Sequence, residues 1–193
     1  QQVEQLQLEN QNLRQLMGLQ SSVATPSQVA EVLFDVPDPY NQRIVIDKGQ
    51  LKDVALGSPV VDAGGVLGQV TRVYPLSAEV TLLTDRDQNI PVLNSRTGAR
   101  NIASGDILGG IPQIELKFVP AGADVKEGDL LTTSGIDGVY PAGLQVARIS
   151  HIERRVDISF ARIHAKPLAD MKGRHVLVLQ PTGALAASKG KAP

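Results

Sequence analysis

The sequence predicts a mainly β fold, with one N-terminal helix followed by two small β units related by an internal repeat. The first segment, QQVEQLQLENQNLRQLMGLQ, contains no proline and is rich in Gln, Leu, Glu and Arg, which are fair helix formers. From Val29 onward, short apolar runs rich in β-branched residues are separated by Gly, Pro, Asp and Asn, which is typical of strands and turns. The motif Asp-Val-x-x-Gly occurs twice before an apolar run, which indicates a duplicated unit.

We predict that the helix spans residues 1–24 and forms a coiled coil. Alternating spacings of three and four define an a/d seam, in which Asn10 at an a position favours a parallel dimer. The seam residues, which we predict to mediate self-association, are Val3, Leu6, Asn10, Leu13 and Met17. Three further leucines lie off this seam and predict a second contact face or a stutter: Leu8, Leu16 and Leu19. An amphipathic helix docked on its own domain remains the alternative.

The rest of the chain is predicted to form a first β subdomain at 25–110 and a second at 111–180, followed by a disordered tail at 181–193. About a dozen short strands are too many for one flat open sheet. The first strand could pair with the last, in which case the strands of the two units interleave.

The internal repeat is most evident in two nine-residue stretches. Residues 53–61 and 124–132 share the pattern D-V-x-x-G-x-x followed by apolar residues. Further on, residues 69–73 resemble 145–149 at a slightly longer offset, as if the second copy contained a longer turn. We therefore expect each glycine of the motif to lie in a turn before a strand.

Composition excludes several classes of function. A chain of 193 residues with 42% hydrophobic content can bury a core, which must be aliphatic because aromatic residues are only 3%. A net charge of −1 and the scarcity of aromatic rings argue against a nucleic-acid partner. The absence of Cys excludes disulfides, thiolate metal sites and Cys nucleophiles. No apolar run reaches the roughly 18 to 20 residues that span a bilayer, and no signal peptide is visible.

The glycine-rich segments favour turns over a phosphate site. A dinucleotide fingerprint requires G-x-G-x-x-G between a strand and a helix, whereas AGGVLG at 63–68 has G-G-x-x-G before another strand. Asp47-Lys48-Gly49 follows a strand in the same way, and Asp beside Gly is ordinary turn chemistry.

The remaining chemical motifs are incomplete, so we predict no catalytic, metal or cofactor site. TDRDQN at 84–89 begins like a calcium loop, but Ile90 and Arg96 replace the Gly and Glu that such a loop needs. The three His residues lack zinc-site spacing. Ser134 is a candidate nucleophile, but every His follows it and neither G-D-S-G-G nor G-x-S-x-G occurs.

A series of short motifs extends over nearly the whole chain in one consistent order. They are E-N-x-x-L-R-x-L at 9–16, VIDKG at 45–49, G-x-P-V-V-x-x-x-G-x-x-G-x-V at 57–70, LLTD at 82–85, IPV at 90–92, LKFVP at 116–120, VKEGDLLTTSG at 125–135, FARI at 160–163 and VLVL at 176–179. In these motifs the chain resembles the rod-shape-determining protein MreC family of bacteria.

The resemblance implies a periplasmic protein anchored in the inner membrane by a helix upstream of residue 1, then a coiled coil and two β-barrel-like subdomains. It implies a non-enzymatic scaffold of the cell-wall elongation complex that maintains rod shape, and self-association as a dimer or filament. The implied partners are the elongation penicillin-binding transpeptidase, MreD and MreB. We expect such partners to meet exposed sheet edges or apolar patches. The alternatives are a serine hydrolase acting through Ser134 and a generic β-barrel adaptor that binds a peptide or an envelope polymer.

Overall fold

A computed structural model describes residues 2–181 of the chain and confirms the mainly β prediction. Its elements are α1 (Gln2–Ser22), β1 (Ser27–Asp35), β2 (Arg43–Ile46), a 3-10 helix (Gln50–Lys52), β3 (Pro59–Val61), β4 (Val66–Val73), β5 (Ala78–Leu82), β6 (Asn89–Asn94), β7 (Arg100–Leu108), β8 (Ile111–Pro120), β9 (Leu130–Thr133), β10 (Gln145–Glu153), β11 (Phe160–Pro167) and β12 (His175–Leu179). The tail predicted at 181–193 lies outside the described residues apart from Pro181.

The strands form two closed antiparallel barrels. The first barrel has the order β1-β12-β3-β4-β5-β2, and the second has the order β10-β11-β8-β7-β6-β9. Closure pairs each strand on both sides along part of its length, but the tip of the β7–β8 hairpin and the end of β1 are paired on one side only. The exposed sheet edges that we expected partners to meet are therefore confined to these segments.

The two barrels have the same topology, but each contains a strand from the other half of the chain. The ring orders become identical when β1 to β5 are matched with β7 to β11 and β12 is matched with β6. In sequence, the repeated units are thus β1–β6 and β7–β12. In space these two units exchange their sixth strands, so that β12 fills the position beside β1 and β6 fills the equivalent position beside β7. Neither barrel is complete without the other half of the chain.

This exchange displaces the boundary that we predicted between residues 110 and 111. Gly109 and Gly110 instead form the turn of the β7–β8 hairpin, and both have the positive φ that a two-residue hairpin turn requires. The second barrel therefore begins with β6, before the predicted boundary, and β12 returns to the first barrel. The apolar patterns of β7 and β8 do not show where the boundary lies, because these patterns would be the same in either unit.

The hydrogen bonds around the Asp-Val-x-x-Gly motifs demonstrate the structural repeat. Gly57 N donates to Val70 O at 2.9 Å, and Gly128 N donates to Ile149 O at 2.8 Å. The carbonyl after each glycine accepts a bond from the same distant residue, at Ser58 in one copy and Asp129 in the other. These bonds make Val70 and Ile149 structurally equivalent, whereas the sequence comparison aligned Val70 with residue 146. The longer second turn was expected, but the register of that alignment was three residues out.

The core is aliphatic, as predicted, and extends from the second barrel to the helix. One buried cluster fills the first barrel with Val, Ile, Leu and Ala side chains. The other fills the second barrel, continues through Val61 and Leu177 at the junction of the barrels, and includes Leu16 of α1. The helix is therefore packed against the junction through its C-terminal half.

The turn between β3 and β4 lies at this junction and explains the glycines of AGGVLG. A Cβ atom at Gly64 would clash with the carbonyl oxygen of Leu168, and one at Gly65 would clash with that of Gln145. Only glycine permits so close an approach of two backbones. The β3–β4 pairing confirms the turn prediction for this segment.

Candidate functional site

Helix α1 has two different apolar faces. Leu16 is buried, and Leu19 and Val23 pack against the same cluster, so these residues dock the helix on the barrels. The predicted seam lies about a third of a turn away around the helix axis. Its exposed members are Val3, Leu6, Asn10 and Met17, while Leu13 is partly buried. The helix thus docks on its own domain, which was the alternative to a coiled coil. It still leaves the predicted seam open to a partner.

Polar contacts hold the helix in this orientation. Gln20 Nε2 donates to the Ser27 carbonyl at 3.0 Å, which ties the end of α1 to the start of β1. Arg174 lies just before β12. Its Nε is 2.9 Å from Oε1 of Glu31 on β1, and its Nη1 is 3.8 Å from Oε1 of Glu9 on the helix. These contacts, together with the buried Leu16, fix the direction in which the open seam faces.

A pair of exposed aromatic rings marks the surface of the second barrel. Phe118 on β8 is 75% exposed and Phe160 on β11 is 50% exposed, and their rings meet edge to face with centroids 6.2 Å apart. The flanking apolar residues Ile102 and Ile158 are also exposed. Water-exposed aromatic pairs are uncommon on surfaces that contact nothing, because each ring could bury a large apolar area.

The backbone at Phe118 is strained. The strand register skips there, so that two residues of β8, Lys117 and Phe118, stand opposite Arg162 of β11. This bulge places Phe118 at φ +59°, a left-handed conformation that costs a residue with a Cβ about 1–3 kcal/mol. Sequence reasoning used LKFVP and FARI only as family motifs. It could not find the ring pair, since only the register brings the two phenylalanines together.

The Asp-containing turns are structural. Asp47, directly after β2, accepts a bond from Glu31 N of the neighbouring strand β1 at 2.8 Å and pairs with Lys48 at 2.9 Å. Asp62 Oδ1 accepts from the amides of Gly64 and Gly65, and Oδ2 accepts from Asp170 N at 2.6 Å. Burial raises the pKa of Asp62 despite these three bonds. Asp62 therefore joins the β3–β4 turn to the segment that leads back to β12.

The other motifs also occupy structural positions. Asp85 accepts backbone bonds from Gln42 and Asp87, and residues 2–181 contain no group of three His, Cys, Asp or Glu placed to hold a metal ion. The Ser134 hydroxyl lies 3.3 Å from the Pro91 carbonyl and 3.4 Å from the Ile136 amide. In the described part of the chain it bonds to no His side chain. The hydrolase alternative is therefore not favoured.

In the same part of the chain, no helix combines the length and the apolar character that crossing a membrane requires.

Comparison with known proteins agrees with this architecture. The family model described as "Rod shape-determining protein MreC, barrel core" matches residues 32–180. The cell shape-determining protein MreC of Haemophilus influenzae is 39% identical over 181 residues, which cover 93% of this chain and 51% of that protein. The chain thus spans about half the length of this relative.

Solved structures have the same fold. One titled "MreC" has a TM-score of 0.84 at 41% identity and covers 91% of this chain and 99% of its own. A complex between Penicillin-Binding Protein (PBP2) and MreC from Helicobacter pylori has a TM-score of 0.62 at 15% identity, covering 80% of this chain and 98% of that one, which is a likeness of fold alone. The family match over most of the chain, together with the double barrel and the helix packed against it, establishes that the chain belongs to the rod shape-determining protein MreC family.

Proposed function

We propose that this chain is a non-enzymatic scaffold that acts in the bacterial periplasm to maintain rod shape during cell-wall elongation. It binds the elongation penicillin-binding transpeptidase through the second barrel and self-associates through α1, as a dimer or a filament. MreD and MreB are further proposed partners, and an inner-membrane anchor would belong to the part of the full-length protein beyond this chain. Family membership supports this function, as does the reported complex of a penicillin-binding protein with a Helicobacter pylori relative.

The observation that carries the proposal is the exposed pair of Phe118 and Phe160. The chain contains only three Phe and no Trp, so two rings placed together on one face are a notable concentration of apolar surface. Each aromatic side chain can bury about 150–250 Å² in an interface. Aromatic anchors surrounded by smaller contacts are typical binding hot spots. The strained backbone at Phe118 holds its ring outward, and such strain is common at functional sites.

The transpeptidase interaction is tested by replacing both rings. Glycine is the better substitution at residue 118, because it removes the ring and also relieves the left-handed strain. We expect Phe118→Gly with Phe160→Ala to weaken binding to the purified transpeptidase by about 30-fold, the equivalent of one hot spot of about 2 kcal/mol. Calorimetry would measure the affinity.

The third phenylalanine provides the matched control. Phe34 lies on β1 of the first barrel and is 56% exposed, so Phe34→Ala removes a similar ring at a distance from the proposed face. We expect its affinity to match the unmodified chain. Equal weakening by both variants would locate the contact elsewhere, and no binding by the unmodified chain would reject the transpeptidase as a direct partner of this segment.

Self-association is proposed for the open seam of α1. Docking through Leu16 and Leu19 leaves Val3, Leu6 and Met17 in water, and apolar residues in a seam gain free energy when a second helix covers them. Asn10 would then pair with its counterpart and favour a parallel dimer.

A further inference from the structure

A cleft of about 450 Å³ lies where α1 passes over the segment that leads from the second barrel back to β12. Its volume falls within the usual range of ligand sites. One wall is a stripe of the helix, formed by Gln5, Leu8, Glu9, Asn12 and Gln15. The other wall is the returning segment from Asp170 to His175, and the base includes Leu16, Asp62 and Gly64. The cleft therefore contacts the helix and the barrel junction together.

Several polar side chains that line this cleft bond to no other described residue and are accessible to a ligand. Within residues 2–181, the amides of Gln5, Asn12 and Gln15 form no hydrogen bond, and Lys172 and His175 form no side-chain hydrogen bond or ion pair. The three amides recur along one stripe of α1, so they present donors and acceptors in a row. Each amide can donate to a carbonyl and accept from an N–H group, which are the groups that the main chain of a peptide offers.

Some charged side chains of the cleft already bond to other described residues, and others do not. Asp62 accepts bonds from three backbone amides, and Arg174 is held between Glu31 and Glu9. Lys172 is left as a free cation in the described part of the chain. Asp170 uses Oδ1 to accept the Lys172 amide, and its Oδ2 accepts no hydrogen bond from the described residues. The cleft thus offers one positive and one negative group to a ligand.

The lining favours a peptide over a sugar as the main ligand. Sugar rings commonly pack on aromatic faces, and His175 is the only ring among the residues that line this cleft. The amides and the two charges instead suit a short peptide with a carboxylate and an ammonium group. The cleft stripe and the predicted seam lie on different sides of α1, so a dimer formed through the seam would leave the cleft open.

We propose that this cleft binds a short zwitterionic peptide, with Lys172 binding its carboxylate, Asp170 its ammonium group and the helix amides its main chain. The identification of the peptide as a cell-wall stem peptide rests on the proposed function. A scaffold of wall synthesis lies among these peptides, and they carry both a carboxylate and an ammonium group. A bound stem peptide would bridge α1 and the barrel junction and so report the presence of wall substrate to the scaffold.

The test is an NMR titration of the ¹⁵N-labelled chain with three probes. They are a disaccharide tetrapeptide released from the wall, the same disaccharide without its peptide, and an all-L tetrapeptide of matched charge. We expect the wall fragment alone to shift the amide signals of the helix stripe and of residues 170–175. Lys172→Gln should weaken its binding about tenfold, as expected for one charge-assisted hydrogen bond. Asn12→Ala should weaken it too.

Two substitutions outside the cleft serve as matched controls. Lys117→Gln removes an exposed lysine of the second barrel, and Gln11→Ala removes an exposed amide one residue from the stripe. Both should bind like the unmodified chain, and unchanged spectra away from the cleft would show that all variants fold. Absence of shifts at millimolar probe, or shifts indifferent to Lys172→Gln, would overturn the site.

Two further outcomes would overturn parts of the proposal. Equal binding of the bare disaccharide would reject peptide recognition. Equal binding of the all-L peptide would reject the wall as the source and indicate a protein segment. Transpeptidase affinity and its dependence on Phe118 are measured separately, so failure of the cleft leaves that interaction standing, and failure of that interaction leaves the titration interpretable.

Discussion

The guanidinium of Arg96 binds the carboxylate of Asp129 through two hydrogen bonds, from Nε to Oδ1 at 2.7 Å and from Nη2 to Oδ2 at 2.9 Å. The same Arg96 also donates to Asp124, while Asn94 and the Lys126 amide donate to Asp129. These bonds join the turn after β6 to the turn before β9 in the second barrel. Hydrogen bonding to Arg96 holds the pKa of Asp129 far below its ordinary value.

We expect Asp129→Asn to destabilise the fold by about 2–3 kcal/mol, since the amide turns an NH₂ group toward donors that need an acceptor. Urea unfolding followed by circular dichroism would measure the loss. Asp157→Asn is the matched control, because Asp157 is exposed and forms one bond of 3.3 Å with Arg155. A similar loss in both variants would contradict a special role for the Arg96 cluster.

The same pair predicts how stability depends on pH. A carboxyl group with a lowered folded pKa stabilises the protein above its unfolded pKa of about 3.9, and this contribution disappears as the pH falls toward the folded value. Asp62, whose pKa is raised by burial, has the opposite sign and loses stability as the pH rises through its window. We expect the free energy of unfolding to fall below about pH 4. In Asp129→Asn the free energy of unfolding should decrease less steeply with falling pH, and in Asp62→Asn it should not.

Substitution of the open seam should abolish self-association without unfolding the barrels. In Leu6→Glu with Leu13→Glu, like charges would face one another across the helix pair, so sedimentation equilibrium should give a monomer. Leu8→Glu is the control, because Leu8 is exposed but lies off the seam. An unchanged mass for the double variant would refute the seam. Deletion of residues 1–24 is a poorer test, since it also removes Leu16 from the core.

Removal of β12 should open the first barrel. A chain ending at Pro167 deprives β1 and β3 of the strand between them, and with it the buried side chains of Val176, Leu177 and Val178. We expect hydrogen exchange to become fast in β1 to β5. A chain ending at Pro181 keeps every described strand and should exchange like the full chain. Retained protection in the shorter chain would contradict the strand exchange.

Much of this protein is specified by local sequence. The helix follows from residues with good helix propensity, and the β-branched runs punctuated by Gly, Pro and Asp mark the strands. The two Asp-Val-x-x-Gly motifs predict equivalent turns, which the bonds at Gly57 and Gly128 confirm. The helix and the strands depend mainly on interactions within about ten residues, so periodicity and turn chemistry are sufficient to find them.

Tertiary structure alone decided three other features: the exchange of β6 and β12, the docking of Leu16, and the meeting of Phe118 with Phe160. β6 buries alternate residues and β12 buries four consecutive ones, and either pattern is ordinary for a strand, so neither identifies a barrel. Which barrel each strand joins depends on the packing and connections of the whole chain, as does the register that places the two rings together. Such long-range pairings cannot be inferred from the apolar pattern of a single strand.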